Sequence, residues 1–247
     1  MSVLFAWAAL LAAPVTTAAG VRGLTPAEAN RRSPVDITGV VTLSHPTKLR
    51  VFVQDDTGGV YLQTDALPAA GLRPGTKVRV TGHTTAGWFA PYVVPDAVVP
   101  LGPAALPVPF GFNLSQNEAR WLDGQYVLTY ALVRGPVRVA GPNGALTVGV
   151  EGAGGRGAVW FHEPPAAADL EALVGSVVRV RGVCVPDFTP KGQITGDMRV
   201  YAQSAADMAV VEPAARVAAA PVRTAEYLRR FLPGASPLQL VRMSGVV

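Results

Sequence analysis

SPVDITGVVTLSHPTKLRVFVQDDTGGVYLQ, residues 33–63, sets apolar against polar side chains in short runs separated by turn residues. Val35 and Ile37 alternate with Asp36 and Thr38, and Val51 and Val53 alternate with Arg50, Phe52 and Gln54. This is the two-residue period of half-buried strands. Gly39 interrupts the first run, and a glycine inside a strand marks a bulge or a sharp coil, the device by which a small sheet bends far enough to close. Asp55-Asp56-Thr57-Gly58-Gly59 places two turn-forming acids before two residues free to take positive φ, so Val60 to Thr64 is predicted to fold back as a hairpin strand. The stretch reads as a curved β-meander.

Outward from it, the composition bounds the class. A chain of 247 residues suits two domains better than one. Apolar residues make up 49% and charged residues 15%, which supplies cores and excludes a disordered polyelectrolyte. The 22 prolines and 26 glycines are spread between short apolar runs, as in proteins of many short strands. The net charge of +4 is mild and its basic residues are scattered, so there is no polybasic tail to mark a nucleic-acid binder. Cys184, the sole cysteine, excludes an internal disulfide and a multi-cysteine metal site; on a predicted strand it reads as a small buried hydrophobe.

A repeat organises the rest. Thr17 is followed by Val21 and Leu24, the spacing of a short capped helix with one apolar face, and Thr224 is followed by Leu228 and Phe231 in the same way. VDITGVV at 35–41 returns as VRMSGVV at 241–247. A looser copy lies between them: Tyr126 to Val133 answers the first strand, with Ala131 in the place of the glycine, and Leu146 to Val150 and Ala158 to His162 answer the second and third. GTKVRVTG at 75–82 answers GSVVRVRG at 175–182, a fourth strand in each unit. Fifth strands are predicted at Tyr92 to Val99 and Gln193 to Ala202, with linkers at Pro100 to Pro109 and Pro213 to Pro221. Leu170, Leu173 and Val174 share one face of a short helix between the third and fourth strands of the second unit, whereas Asp65 to Pro74 is too proline-broken for more than a turn. Five strands with that helix is the order of the OB-fold, a Greek-key barrel. The expected fold is all-β, two tandem five-stranded OB-like barrels with short helices leading into each unit and the truncated start of a third. Residues 1–16 read as an export signal, 17–110 as the first barrel, 111–213 as the second, and 214–247 as a linker and a third start that packs poorly or docks on the second unit.

The export reading rests on the apolar run Val3 to Val15 and on small residues at Ala18 and Ala19 that suit cleavage, although the first basic residue is Arg22 and a signal normally opens on one. The alternative is a buried apolar helix.

No arrangement of residues announces a reaction. His45, His83 and His162 fall in a loop and at two strand ends of different units, without the Cys and His clusters that zinc requires. No phosphate-binding loop, nucleotide fingerprint or kinase motif is present. Asp55 and Asp56 invite a calcium reading but lack a third carboxylate at loop spacing, and a hairpin tip capping its own amides explains them better. Catalytic, cofactor and metal residues are therefore expected to be absent. Trp88-Phe89-Ala90-Pro91-Tyr92 occupies the loop between strands four and five, one of those with which OB-folds hold oligonucleotides or sugars. Phe52 and Tyr61 extend that ring surface, so the candidate ligand-binding set is Phe52, Tyr61, Trp88, Phe89 and Tyr92, with Lys48, Arg50, Lys77 and Arg79 as phosphate partners for a single strand. The plainer reading packs these rings over the barrel mouth or against the neighbouring unit. Arg179 and Arg181 mark a solvated face.

The Thr-Ala helix at Thr17, LTPAEA at 24–29, PVDITGVVT at 34–42 and FVQDDTGGV at 52–60 resemble the tandem OB-like sensory region that precedes the membrane span in certain bacterial two-component sensor histidine kinases. The similarity runs over essentially the whole chain, closely in the first unit and loosely in the second. It implies a non-catalytic, periplasmic or extracytoplasmic segment that binds a small molecule, saccharide or protein partner, tethered to the inner membrane through a C-terminal region outside these residues. Kinase activity would reside there too. The family offers no agreed ligand residues. A tandem OB module for nucleic acid, or a structural spacer, is the alternative.

Overall fold

The structure, a computed structural model, describes residues 13–45, 50–64, 72–115, 117, 121–140, 145–189, 191–195, 198–215, 219–229 and 241–245. In the first unit β1 (Pro34–His45), β2 (Arg50–Asp55), β3 (Gly58–Gln63), β4 (Thr76–Thr85) and β5 (Tyr92–Pro103) form a closed barrel in the order β1-β2-β3-β5-β4. With β3 and β5 parallel and the other pairs antiparallel, this is the OB-fold. Alternate residues Val35, Ile37, Val51, Val53, Val60, Leu62, Val78 and Val80 fill its core.

Two devices bend β1. At Val40 the strand changes partner, from β4 to β2. Gly39 permits the crossing, because a Cβ there would stand 2.6 Å from the Val53 side chain. The coil expected at this glycine is therefore present, and the bulge lies further on, at Thr42, where register shifts between Val41 and Leu43. The shift sets Leu43 opposite Phe52 on the outer face, which prepares the contact with the second unit.

The hairpin tip caps itself: the Asp55 carboxylate accepts from the Thr57 and Gly58 amides at 2.8 and 3.1 Å. Its other oxygen accepts from Ala18 N at 2.8 Å, the first residue of α1 (Ala18–Arg22), whose N-cap is Thr17. Ala18 and Val21 bury the apolar face of α1 in the barrel core. Thr25 and Glu28 form a capping box at the start of α2 (Pro26–Ala29). Val15 bridges Val35 in parallel, so the first barrel engages the chain from Val15 onward, and a cleavage near Ala18 or Ala19 would fall inside α1. Residues 1–12, the bulk of the predicted export signal, lie outside the described residues.

The second unit contains β6 (Phe110–Gly111), β7 (Tyr126–Ala140), β8 (Ala145–Gly152), β9 (Gly155–Phe161), β10 (Val177–Cys184), β11 (Met198–Ala202) and β12 (Met208–Glu212). Its strands follow the same circuit, β7-β8-β9-β11-β10, closed by the pairing of β10 with β7. The helix predicted before β10 is α3 (Ala167–Glu171); Leu170 is buried and Leu173 packs on the core, while Val174 points outward. The fifth strand departs from expectation. It begins at Met198 and not at Gln193, ends at Ala202 as expected, and after a 3-10 turn, Ala205–Asp207, in which Ser204 and Asp207 cap each other, the chain adds β12. In the first barrel β5 instead runs on through Pro100 to Pro103, into the predicted linker, and a register shift opposite Val78 accommodates the proline.

The repeat is structural as well as textual. Gly75 and Gly175 take φ of +84° and +87°, and Gly58 and Gly155 both take +154° at their hairpins. Gly82 and Gly182 each lie where a Cβ would come within 2.3 or 2.4 Å of a carbonyl oxygen of the fifth strand. Near the C-terminus Thr224 accepts from Tyr227 N at the start of the helix Ala225–Arg229, and Val222 bridges Arg242 in parallel as Val15 bridges Val35. Val222 and Met243 are exposed there. The expected apolar face at Leu228 and Phe231, and most of the slot at 65–74, lie outside the described side chains. Among the described residues, no helix is long and apolar enough to cross a membrane.

Candidate functional site

With Val51, Val53, Val60 and Leu62 inside the first barrel, Arg50, Phe52, Gln54, Tyr61 and Gln63 necessarily face out from β2 and β3. In an OB barrel this face, with the loop after β4, is where oligonucleotides or sugars lie. Here the second barrel docks across part of it. Leu43 and Phe52 pack with Tyr126, Val183 and Tyr201 in a cluster of their own. Two glutamines exchange bonds across the seam: Gln125 Oε1 accepts from Gly59 N at 2.9 Å, and Gln54 Oε1 accepts from Tyr126 N at 2.8 Å. Arg22 and Asp123 form an ion pair at 2.9 Å with both side chains largely buried. Burial pushes the Asp123 carboxyl above the ordinary carboxylate range, against the opposing pull of Arg22. Cys184 is fully buried and packs in the core of the second barrel, and that burial pushes its thiol pKa up.

Beside the seam a cleft of about 490 Å³ remains open. One wall is Arg50, Phe52, Tyr61 and Gln63 with Gly87 to Tyr92; the other is Val185 to Phe188 with His162, Arg199 and Tyr201. The two loops between fourth and fifth strands meet here, and Phe89 stacks on Phe188 with centroids 5.1 Å apart and planes at 16°. Tyr61 lies between Phe52 and Tyr92, at 5.4 and 5.3 Å. The Tyr92 hydroxyl donates to Gln63 Oε1 at 2.9 Å, and His162 stacks on Tyr201. Trp88 stands at the rim, 71% exposed.

Phe52, Tyr61, Trp88, Phe89 and Tyr92, the five residues singled out from sequence, thus all line one cleft. Phe52 is also buried against the second barrel, so packing and cleft lining are two aspects of one surface. The basic partners divide. Arg50 is in the cleft, whereas Lys77 and Arg79 sit on β4, which neighbours β1 and β5 and lies across the barrel from β2 and β3; Arg79 is engaged there by Asp36. Lys48 lies outside the described residues. Of the cleft's three guanidiniums, Arg22 pairs with Asp123 and Arg199 pairs with Asp187 while lying 4.8 Å over the Trp160 ring. Arg50 donates to the Tyr201 hydroxyl at 3.2 Å and has no carboxylate partner among the described ion pairs. Among the described residues the cleft therefore offers aromatic rings beside one guanidinium that no carboxylate pairs. Among the described residues, no group of three or more His, Cys, Asp or Glu side chains is placed to hold a metal ion.

The wall from the second barrel escaped sequence reasoning. Its signals were available: alternation in MRVYA at 198–202 turns Arg199 and Tyr201 outward, and the repeat of GTKVRVTG as GSVVRVRG puts Phe188 in the slot that holds Trp88 and Phe89.

No family model matches the chain, and no curated protein matches it. Among solved structures it is similar to the hypothetical protein ygiW from E. coli, at 15% identity and a TM-score of 0.29, over 36% of this chain and 91% of that one. It is also similar to a murine DNA binding protein bound with double-stranded DNA, at 11% identity and 0.32, over 72% and 98%. A deletion mutant of the single-stranded DNA binding protein from Thermus aquaticus matches at 15% and 0.24, over 82% and 97%.

Proposed function

We propose that the chain is a non-catalytic binding module whose ligand, planar and anionic, occupies the cleft between its two OB barrels. The observation that carries this is the position of Arg50, a guanidinium without a carboxylate partner among the described residues, beside the Tyr61 and Tyr92 rings in a cleft of the size small ligands fill. Its setting is the one the sequence resemblance implies: the extracytoplasmic sensory segment of a two-component receptor, in which the occupied cleft is the signal. Because both walls belong to different barrels, occupancy bears on the way the barrels are held together. An alkaline phosphatase fusion that stayed inactive would count against the extracytoplasmic placement.

A second reading makes the module a reader of single-stranded nucleic acid. It is favoured by the exposed Trp88 at the rim, where a base can stack without entering the cleft. For either reading, isothermal titration with nucleoside monophosphates and aromatic carboxylates is expected to find a ligand that binds once per chain. Arg50→Gln should weaken it about tenfold, the value of a hydrogen bond to a charged group, and Tyr61→Ala should abolish stacking. Failure of every such anion to bind the wild-type chain would sink the cleft as a ligand site.

A further inference from the structure

The second barrel carries guanidiniums that the cleft does not use. With Val148, Val150, Val159 and Phe161 inside, the outer face of β7, β8 and β9 presents Arg134, Arg138, Glu151 and Arg156 around a groove of about 680 Å³. Glu151 takes the Arg134 Nε at 2.6 Å and stands directly across the ladder from Arg156. Among the described residues that line the groove, three guanidiniums thus stand with one carboxylate, a balance that favours anions.

Strand register joins this groove to the cleft. Directly opposed residues of neighbouring strands share a face, and Arg138 opposes Thr147, Thr147 opposes Trp160, and Trp160 opposes Tyr201. The row crosses four strands, about 14 Å at the usual spacing. It ends on the hydroxyl that accepts from Arg50. Arg199 lies over Trp160 and His162 stacks on Tyr201, so along the row those ring faces are already occupied, and the row's far end carries Arg138. Free stacking surface appears at the cleft end, on Trp88.

A compact anion fills the cleft and leaves the groove unused. Anionic groups repeated along a chain, with planar rings attached, match both halves. We infer that the two barrels together bind a single-stranded nucleic acid running from the cleft over the outer face of β7 to β9, with Arg138 and Arg156 on its phosphates. The inference rests on the cleft being a ligand site and selects the second of the two readings above.

The test uses the full chain, a fluorescent thymidylate dodecamer and thymidine 5′-monophosphate. The wild type should bind the dodecamer. The double variant Arg138→Gln, Arg156→Gln should bind it at least about tenfold more weakly, with a salt slope shallower by about 1.4 for two lost phosphate contacts on a single strand. Both arginines are exposed, so folding should be unchanged, which circular dichroism verifies. The monophosphate, confined to the cleft, should bind both proteins alike. If the double variant holds the dodecamer as well as the wild type while Tyr61→Ala loses it, the strand does not cross the groove and the inference fails, leaving the cleft intact. If neither probe binds the wild type, the cleft reading fails with it. Displacement of the dodecamer by dextran sulfate at equal charge concentration would overturn the nucleic-acid assignment in favour of polyanions at large.

Discussion

Replacing Gly59 by alanine is expected to cost about 3 kcal/mol and to undock the two barrels, the scale of a forced overpacking against immovable backbone. The added Cβ would stand 2.1 Å from the Gly124 carbonyl oxygen, and Gly59 N is also the donor to Gln125. The atoms nearest the new Cβ, Gly124 O and C and Gln125 Cα, are all backbone, so the seam itself has to open. Urea unfolding followed by tryptophan fluorescence should change from one transition to two, and cleft binding should disappear while the far-ultraviolet signal of the barrels survives. Gly111→Ala, where a Cβ meets nothing within 4 Å, is the matched control. A single transition at the wild-type midpoint in the Gly59 variant would show that the barrels do not depend on this approach.

Arg22→Met should be comparably severe at neutral pH, by about 4 kcal/mol, because it leaves the Asp123 carboxylate buried without its cation. The pH dependence gives a signature that simple loss of packing does not. Burial raises the Asp123 pKa in the folded state, so the folded protein holds a proton that the unfolded chain releases. Stability therefore falls as pH rises from the ordinary carboxylate range through the raised value, and recovers on acidification. Without Arg22, which pulls in the opposite direction, the folded pKa rises further and the slope reaches to higher pH. The penalty of the variant should accordingly shrink as pH is lowered from neutral. Asp207, also raised by burial, and Asp36, lowered chiefly by its hydrogen bond from Arg79, contribute to both proteins and cancel in the comparison. A penalty that stayed constant from neutral pH to the ordinary carboxylate range would show that Asp123 is not the group left stranded.

The barrels were legible because what makes them is local. Val51 and Val53 alternate with polar neighbours whatever the rest of the chain does, the Asp55 tip satisfies its own amides, and Gly82 and Gly182 recur at the same step of two strand motifs. The five rings of the first barrel were legible for the same reason, since outward position follows from alternation and loop position from strand order. What lay beyond the sequence is the partnership between units. Gln54 and Gln125 look like ordinary solvated residues until each is found bonded to the other's backbone neighbourhood. The bulge at Thr42 that turns Leu43 outward has no residue signature, and the lining at Tyr201 and Phe188 becomes a wall only once the barrels meet. The break in the second barrel's fifth strand was visible in part: Ser204 and Asp207 have capping-box spacing, here enclosing a single 3-10 turn inside what otherwise continues as sheet.

That break divides one edge of the second barrel into halves with separate allegiances. β11 is held by a five-residue parallel ladder to β9 and reaches only the last two residues of β10, whereas β12 is held by the first four residues of β10. In the first barrel the unbroken β5 couples both ends of β4, so loosening one end strains the other. In the second, β12 can peel from β10 like a latch while Arg199 and Tyr201 keep their places on β11, and disturbance at that edge stops short of the cleft wall.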